Sequence, residues 1–147
     1  LLQAARDLGV VGLEDICLKK LGEFKSRVRP DGIPWDEITK RNASGEIIIC
    51  LDGMVFDVTR WMPQHPGGSS IIPKQALNMD AARMFEIYHV GAEPFNFLKQ
   101  FYIGDVIPED YKGVPKTKTA PSKAFLAHLA SCTKWRIRPR TKEHVSF

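Results

Sequence analysis

The strongest strand pattern of apolar and polar positions lies between residues 46 and 58. An apolar run, β-branched at residues 47–49, covers residues 47–51, an Asp52-Gly53 pair follows, and apolar positions resume directly after it. An Asp-Gly pair between two such runs is typical of a tight β-hairpin. Because residues 47–51 are apolar on both faces, we expect this strand inside the sheet rather than at a wet edge.

Helical spacing dominates on either side of this hairpin. Residues 1–24 have apolar positions at loosely helical intervals, and the following KSRVRPDGIP is typical of a linker or turn. The next segment, WDEITKRN, predicts the start of a short helix, because its acids precede its bases and so suit the helix dipole. After the hairpin, the pattern predicts short helices over 69–77, 80–88 and 93–100, a closing strand in FYIGDV, and an amphipathic helix in SKAFLAHLASCTKW.

Composition suits one globular domain with two flanking arms. The chain has 147 residues, of which 44% are hydrophobic and 26% are charged. Residues 34–108 contain nine acids and six bases, whereas residues 109–147 contain nine bases and three acids. The basic C-terminal segment is rich in Pro, Lys and Thr, so we expect a solvated, flexible extension, with a docking segment as the alternative.

The cysteines and the hydropathy profile bear on the cellular setting. Three cysteines lie far apart in the chain, which argues against a disulfide framework or a zinc site and suits a reducing compartment. No apolar run approaches the ~20 residues that span a bilayer. We therefore expect a cytoplasmic protein; membrane-surface binding by the basic tail and AFLAHLA is a less favoured alternative.

The motif WMPQHPGGSSII holds one histidine in a restrained position. Pro63 and Pro66 restrict the backbone on both sides of His65, so its ring has little conformational freedom. Gly67 and Gly68 allow a tight turn and close approach to the backbone. An imidazole at the mouth of an apolar, glycine-lined slot suits a flat hydrophobic ligand with a metal at its centre.

A second candidate is His89 in FEIYHVGAEPF, 24 residues further along the chain. A porphyrin leaves two axial positions on its iron, which two facing histidines would fill. On the residues alone, axial ligation and an ordinary structural role both stay open for this pair. His128 and His144 lie in no comparable motif, and we interpret them as non-ligands.

Three segments, DGMVFDVTRWMPQHPGG, DAARMFEIYHVGA and FLKQFYIGDV, together resemble the cytochrome b5 family in composition and order. The resemblance covers about residues 33–110 and implies an α+β fold, in which a small mixed sheet and two helix–loop–helix pairs form a haem pocket. It divides the chain into an N-terminal extension (1–32), a cytochrome b5-like domain (33–110) and a basic tail (111–147).

The resemblance also implies the site. His65 and His89 correspond to the axial ligands of haem b, which is iron protoporphyrin IX. The family's cofactor-contacting positions correspond to Val58, Trp61, Pro66, Gly67, Ile71, Ile72, Phe85 and Ile87. Two departures concern the pocket shape: the family's Gly-Asp-Ala-Thr is Met-Asp-Ala-Ala at residues 79–82, and Pro73 follows the first ligand.

The function implied by this resemblance is electron transfer. With both axial positions taken, no position is open for a substrate, so we expect an electron carrier rather than an enzyme. The implied partners are a flavoprotein reductase as donor and a redox protein as acceptor, without nucleic acid, and the chain is expected to be a monomer. Glu86, Glu93 and Asp80 could attract a basic partner face or could form an ordinary solvated surface.

Two alternatives remain. The chain could be the haem domain of a larger oxidoreductase, such as a desaturase-like or nitrate-reductase-like fusion; the missing initial Met and the two arms keep this alternative open. The absence of a Gly-rich nucleotide signature or a His-box argues against it. A ligand-binding relative of the membrane-associated progesterone-receptor type is disfavoured, because such relatives lack this histidine pair.

Overall fold

The computed structural model describes residues 11–141, and in this part of the chain a four-stranded sheet is surrounded by short helices. In chain order the elements are α1 (Val11–Arg27), β1 (Arg29–Ile33), α2 (Trp35–Ala43), β2 (Ile48–Leu51), β3 (Met54–Asp57), α3 (Ile71–Gln75), α4 (Ala82–Tyr88), α5 (Glu93–Leu98), β4 (Tyr102–Val106), α6 (Pro108–Tyr111) and α7 (Lys123–Cys132). Single 3₁₀ turns cover Met62–Gln64 and Lys99–Phe101. The α+β prediction is confirmed.

The predicted hairpin is present as β2 and β3. The two strands are antiparallel, with Cys50 opposite Val55. Asp52 and Gly53 form the turn with φ of 52° and 84°, the left-handed conformation that a two-residue hairpin turn of this hand needs. The sheet order is β1-β4-β3-β2, with β1 parallel to β4 and the other pairs antiparallel.

The expectation that β2 lies inside the sheet is wrong, because β2 is an edge strand. All four of its residues are nevertheless buried. The side-chain amide of Asn42 on α2 bonds both backbone groups of Ile48, at 2.8 and 3.1 Å. Near the other end of the strand, the Ala81 N–H donates to the carbonyl of Cys50 at 2.8 Å. The apolar run therefore reflects an edge that neighbouring segments cover.

Strand β1 lies largely in the segment expected to be an extension and a linker. It contains Pro30 and Gly32, which have low strand propensity, so no local pattern predicts it. Its partner is β4, where Arg29 pairs with Gly104 and Ile33 pairs with Val106. Ile33 is fully buried by this pairing, and the sheet therefore begins before residue 33.

The sheet separates two apolar clusters. Alternate residues of the hairpin belong to different clusters, as the pleat of a strand requires: Ile49 and Phe56 to one, Ile48 and Val55 to the other. The first cluster continues into α4, α5 and α7, where partly buried Met84, Phe85 and Phe125 pack against it. It is this face of the sheet that carries the functional cavity described below.

The C-terminal segment differs from the flexible, solvated extension that we expected. The predicted helix is confirmed as α7, and the Ser122 hydroxyl caps it by accepting the N–H of Phe125 at 3.1 Å. Leu129 is 1% exposed and belongs to the first cluster. Apolar residues at helical spacing give α7 a buried face, and beyond the helix Ile137 still contacts the domain through backbone hydrogen bonds with the Tyr102 hydroxyl.

Part of the tail's positive charge is neutralised inside the domain. The buried guanidinium of Arg136 donates to Asp105 Oδ2 at 2.8 Å, to Asp52 Oδ2 at 3.1 Å and to the Asp52 carbonyl at 2.6 Å. Beside it, Trp135 packs edge-on against Tyr102 with centroids 5.1 Å apart. Burial raises the pKa of Asp105, and the hydrogen bonds from Arg136 and Tyr102 oppose this rise.

Helix α1 is attached to the domain by its C-terminal end. Arg27 donates to the carbonyls of Tyr102 and Lys99, and Phe24 stacks on the Tyr102 ring at 6.2 Å. Further from this anchor, Leu21 is half exposed. Across residues 11–141, no helix combines the length and the apolar character needed to cross a membrane.

The packing of α7 predicts an unequal response to the same substitution at two leucines. Leu129→Ala should lower the free energy of unfolding by about 2–5 kcal/mol, because it leaves a cavity in the core. Leu21→Ala, at a side chain that is 47% exposed, should change it by less than about 1 kcal/mol. Urea unfolding of both variants tests this, and equal effects would contradict the packing of α7.

Candidate functional site: two histidines at one apolar cavity

A cavity of about 990 Å³ opens on the face of the sheet that bears the first apolar cluster. Its floor is β2, and its sides come from the loop after β3 and from α3, α4 and α5. His65 and His89 both line it: His65 lies in the loop between β3 and α3, and His89 lies between α4 and α5. Most of the remaining lining is apolar: Ile49, Leu51, Val58, Trp61, Pro66, Gly67, Ile71, Ile72, Ala76, Ala81, Met84, Phe85, Tyr88, Val90, Pro94, Phe97 and Leu98.

His65 is held by its own loop. It follows the 3₁₀ turn Met62–Gln64 with extended backbone angles of −62° and 121°. Its Nδ1 lies 2.9 Å from the carbonyl oxygen of Gly68, and Trp61 packs edge-on against the ring at 5.4 Å. Gly67 lies so close that a Cβ built there would be 2.9 Å from His65 Cε1. The glycine thus makes room for the imidazole itself.

His89 is held by the end of α4. The residue leaves the helix in an extended conformation, and its Nδ1 lies 3.2 Å from the carbonyl oxygen of Phe85. The Phe85 ring stacks on the imidazole, with centroids 4.0 Å apart and planes at 12°. Burial lowers the pKa of His89, and the proximity of His65 lowers it further, while the bond to Phe85 raises it. The balance favours the neutral ring.

The two Nδ1 contacts determine which nitrogen of each ring can act as an acceptor. A carbonyl oxygen can only accept, so Nδ1 carries a proton in both rings, and in a neutral ring the lone pair then lies on Nε2. Within residues 11–141, neither Nε2 has a hydrogen-bond partner on the protein. A neutral imidazole with a free Nε2, oriented through Nδ1, is the form that binds metals.

The pair does not form a complete metal site by itself. In the described part of the chain, no group of three or more His, Cys, Asp or Glu side chains comes together in a way that could hold an ion. Two imidazoles in an apolar cavity therefore suit a metal whose other ligands come from a bound group. The buried Cys50 is not an alternative ligand, because it belongs to the second apolar cluster, on the other face of the sheet, and does not line the cavity.

Seven of the eight wall residues expected from the sequence lie on the cavity: Val58, Trp61, Pro66, Gly67, Ile71, Ile72 and Phe85. Their contact with a ligand stays a prediction. Ile87 does not line the cavity and is 56% exposed. The reason is helical geometry, because Ile87 lies two residues from Phe85 and hence on the far side of α4.

Several lining residues were missed from the sequence. On α4 these are Met84 and Tyr88, which share a face with Ala81 and Phe85 at intervals of three and four residues. That spacing is the signal that would have found them and would have excluded Ile87. Phe97 on α5 and the β2 residues Ile49 and Leu51 also line the cavity. Only the tertiary arrangement brings them there.

Of the three carboxylates for which an acidic docking face and an ordinary solvated surface were both open, two are engaged within the domain. Asp80 is 5% exposed, and Glu86 accepts hydrogen bonds from Arg83 and from Ser122. Only Glu93 is an exposed acid on the cavity lining. The same rim exposes large apolar side chains, with Tyr88 71% and Val90 91% exposed. The mouth of the cavity is therefore more apolar than acidic.

Comparison with known proteins gives an independent result. The family model described as "Cytochrome b5-like Heme/Steroid binding domain" matches residues 34–107. Cytochrome b5 type B of Homo sapiens is 40% identical over 88 residues, which cover 60% of this chain and 57% of that protein. The Mus musculus protein of the same name is 40% identical over 77 residues, covering 52% of each chain.

A second group of relatives consists of larger proteins. The Acyl-lipid (8-3)-desaturase B of Dictyostelium discoideum is 39% identical over 71 residues, covering 48% of this chain and 15% of that protein. The chain spans little more than half the length of the cytochrome b5 type B proteins and a small part of the desaturase.

The matched range of residues 34–107 covers half of the chain and contains both cavity histidines, the hairpin and the closing strand. Sequence family and cavity geometry therefore agree, and the chain belongs to the cytochrome b5-like heme/steroid binding domain family.

Proposed function

We propose that this domain is a one-electron carrier that holds haem b between His65 and His89. The observation that carries the proposal is the histidine pair: two imidazoles line one apolar cavity, each with Nδ1 bonded to a backbone carbonyl. The family description includes haem and steroid ligands. Haem iron has axial positions that two Nε2 atoms can fill, whereas a steroid has no metal for them to bind. The histidine pair therefore favours haem.

The size and lining of the cavity support the proposal. A volume of about 990 Å³ lies at the upper end of the ~300–1,000 Å³ that small-molecule and cofactor sites occupy. Its lining is mainly aliphatic and aromatic, which suits the apolar body of a porphyrin. The three cysteines stand far apart, without the paired spacing of covalent haem attachment, so a noncovalent b-type cofactor fits the sequence.

The roles of the two histidines follow from their surroundings. The carbonyls of Gly68 and Phe85 keep the protons on Nδ1 and orient the two rings. Haem iron, when bound, supplies a ferric–ferrous couple that takes up and releases one electron. If His65 and His89 both held the iron, no coordination position would be left for a substrate, so we expect no turnover by this chain alone.

The proposed partners are a flavoprotein reductase as electron donor and a redox protein as acceptor. Such partners dock briefly, and the exposed rim beside the cavity is the natural place for them. Tyr88 and Val90 on this rim, together with the engagement of Glu86 by Ser122, favour a docking face that is mainly apolar. Screening by salt should affect such a contact less than it affects an acidic one.

A second candidate function is the haem domain of a larger oxidoreductase. The similarity to desaturases of Dictyostelium discoideum favours it, because the match covers only 15% of the length of one of those proteins. The chemistry proposed for the cavity is the same in both cases. The length of the complete reading frame distinguishes them, since a fused enzyme would carry its own catalytic domain on the same chain.

The histidine pair predicts the spectroscopic behaviour of the purified protein with haem. The unaltered chain should show the sharp reduced spectrum of a six-coordinate, low-spin haem and should not bind carbon monoxide. His65→Ala or His89→Ala should each loosen the haem and open a position to carbon monoxide. His128→Ala removes an imidazole that does not line the cavity, so it should remain six-coordinate and closed to carbon monoxide. Ready carbon monoxide binding by the unaltered reduced chain would contradict the assignment of the ligands.

The close approach of Gly67 to His65 predicts a second effect. Gly67→Ala places a methyl group 2.9 Å from His65 Cε1, so the ring must shift from its bond to Gly68. The affinity for hemin, measured by titration, should fall by about tenfold or more, in the range seen for lost orienting contacts around metal ligands.

Gly22→Ala is the matched control for this titration, because no atom lies within 4 Å of the added methyl group. It should leave the hemin affinity unchanged. An unchanged affinity in Gly67→Ala would show that His65 does not bind the cofactor in the position that it has here.

A further inference from the structure

The C-terminal strap, defined as residues 111–136, crosses the corner between α4 and α5 where His89 is located. It is anchored at both ends: Tyr111 bonds Asp80, and Arg136 bonds Asp52 and Asp105. Between these anchors, α7 of the strap lies against α5. Three sets of polar contacts connect the strap to the His89 corner.

The first set lies just before α4. The phenol of Tyr111 donates to Asp80 Oδ2 at 2.6 Å, and the Asp80 N–H donates to the carbonyl of Pro115 at 2.8 Å. Asp80 Oδ1 in turn accepts the N–H of Ala82, the first residue of the helix. Burial and the adjacent Asp80 raise the pKa of Tyr111, so the phenol stays a donor. The start of α4 is thus tied to the strap.

The second set lies on α4, one turn before His89. Ser122 donates to Glu86 through its hydroxyl at 2.5 Å and through its backbone N–H at 3.2 Å. Arg83 donates to the same carboxylate at 2.9 Å. Because Ser122 is also the N-cap of α7, one residue starts the strap helix and binds the helix that ends at His89.

The third set lies two residues after His89. The His128 Nε2 atom lies 3.1 Å from the carbonyl oxygen of Gly91, which accepts a hydrogen bond from the Nε2–H group. Gly91 has φ of +82°, a conformation that needs glycine and allows the chain to turn from α4 into α5. His128 on α7 therefore holds the outer side of the turn that follows the second cavity imidazole.

An aromatic column runs from the strap to the same imidazole. His89 stacks on Phe85 at 4.0 Å, Phe85 packs against Phe95 at 5.1 Å, and Phe95 contacts Phe125 at 6.0 Å and His128 at 5.7 Å. At its outer end lies His128, which the third set of polar contacts also holds. A shift of α7 would therefore be transmitted to the His89 ring by close packing.

His65 has a different kind of support. Its ring is held by Gly68 through Nδ1 and by Trp61 through edge contact, both within the same loop. The strap contacts lie at Asp80, Glu86 and Gly91, all near His89. Loosening the strap should therefore affect one side of the cavity.

We propose that the C-terminal strap positions the second imidazole, and that Ser122 and His128 are positioning residues for His89. The proposal rests on the proposed haem function only for its consequence, the retention of the cofactor. The structural part of the proposal is that residues outside the matched range of 34–107 hold the corner at His89. This part does not depend on haem. His128, which the sequence indicated to be an unrelated tail histidine, acts here through Gly91 and is not a ligand.

The first experiment uses the full chain without haem and measures amide hydrogen exchange. The His89 N–H is bonded to Phe85, and the Gly68 N–H is bonded to His65, so they report on the two sides of the cavity. His128→Leu should speed exchange at residues 89–92 by about threefold to tenfold, as expected for one lost hydrogen bond. Exchange at Gly68 should not change.

Two variants serve as controls. His128→Gln can still donate to Gly91 and should restore much of the protection. Ser131→Ala removes an exposed hydroxyl of α7 whose contacts, at the carbonyl of His128 and at Cys132 Sγ, both lie within its own helix, and it should have no effect. Equal acceleration at Gly68 and His89, or an effect of Ser131→Ala as large as that of His128→Leu, would overturn the proposal.

The second experiment adds hemin and follows its transfer to an excess of an acceptor apoprotein. His128→Leu and Ser122→Ala should each release hemin about threefold to tenfold faster, and the low-spin ferric signal should change because the orientation of one ligand ring changes. Release rates equal to that of the unaltered chain would overturn the positioning role while leaving the haem proposal intact.

Failure of the haem proposal would look different. If the unaltered chain binds no hemin, the proposed function is wrong, and the exchange experiment alone decides whether the strap holds the corner. The two inferences therefore fail separately.

Discussion

The buried carboxylate of Asp80 connects the parts of the chain that form the site. It accepts the N–H groups of Asp52 and Gly53 in the hairpin turn, the N–H of Ala82 at the start of α4, and the phenol of Tyr111 after β4. A buried carboxylate without such partners would be strongly unfavourable. Because hydrogen bonds from both the hairpin turn and the start of α4 satisfy this carboxylate, α4 lies at the end of the hairpin. The position of α4 in turn determines where His89, at its C-terminal end, places its imidazole.

The two imidazoles reach one cavity by different physical means. His65 is oriented by a short loop in which proline restricts the backbone and Gly67 leaves space for the ring. His89 depends on a helix, the Phe85 ring and the contacts behind it. Both arrangements leave Nε2 free as an acceptor, which is the property that a metal ligand needs. A common chemical result therefore comes from one local and one long-range arrangement.

The C-terminal segment extends the domain beyond residues 34–107, the range that matches the family. Its helix buries Leu129, and Arg136 pairs with Asp52 in the hairpin turn and with Asp105 on β4. The net positive charge of this segment suggested a solvated arm, but charge counts do not distinguish an exposed arginine from a buried one. Arg136 is buried because it pairs with two carboxylates that lie more than 30 residues earlier in the chain.

Local chemistry was sufficient for the hairpin and for the restraint on His65, whereas the resemblance to the cytochrome b5 family indicated the pairing of His65 with His89. Asp52 and Gly53 adopt the turn that an Asp-Gly pair favours, and HPGG restrains its histidine wherever the rest of the chain lies. The amphipathic pattern of α7 was visible in the same way. In each case the information lies within a few consecutive residues, because backbone preference or side-chain period is the deciding factor.

Other features were decided only by the tertiary structure. The apolar run of β2 could not show whether a neighbouring strand or Asn42 and Ala81 would cover it. Residues 29–33 form a strand because β4 pairs with them, not because their own propensity favours it. The sequence by itself thus determined the two imidazoles and the turn chemistry around them. The folded chain decided the walls of the cavity and the support of His89, because these depend on contacts between residues far apart along the chain.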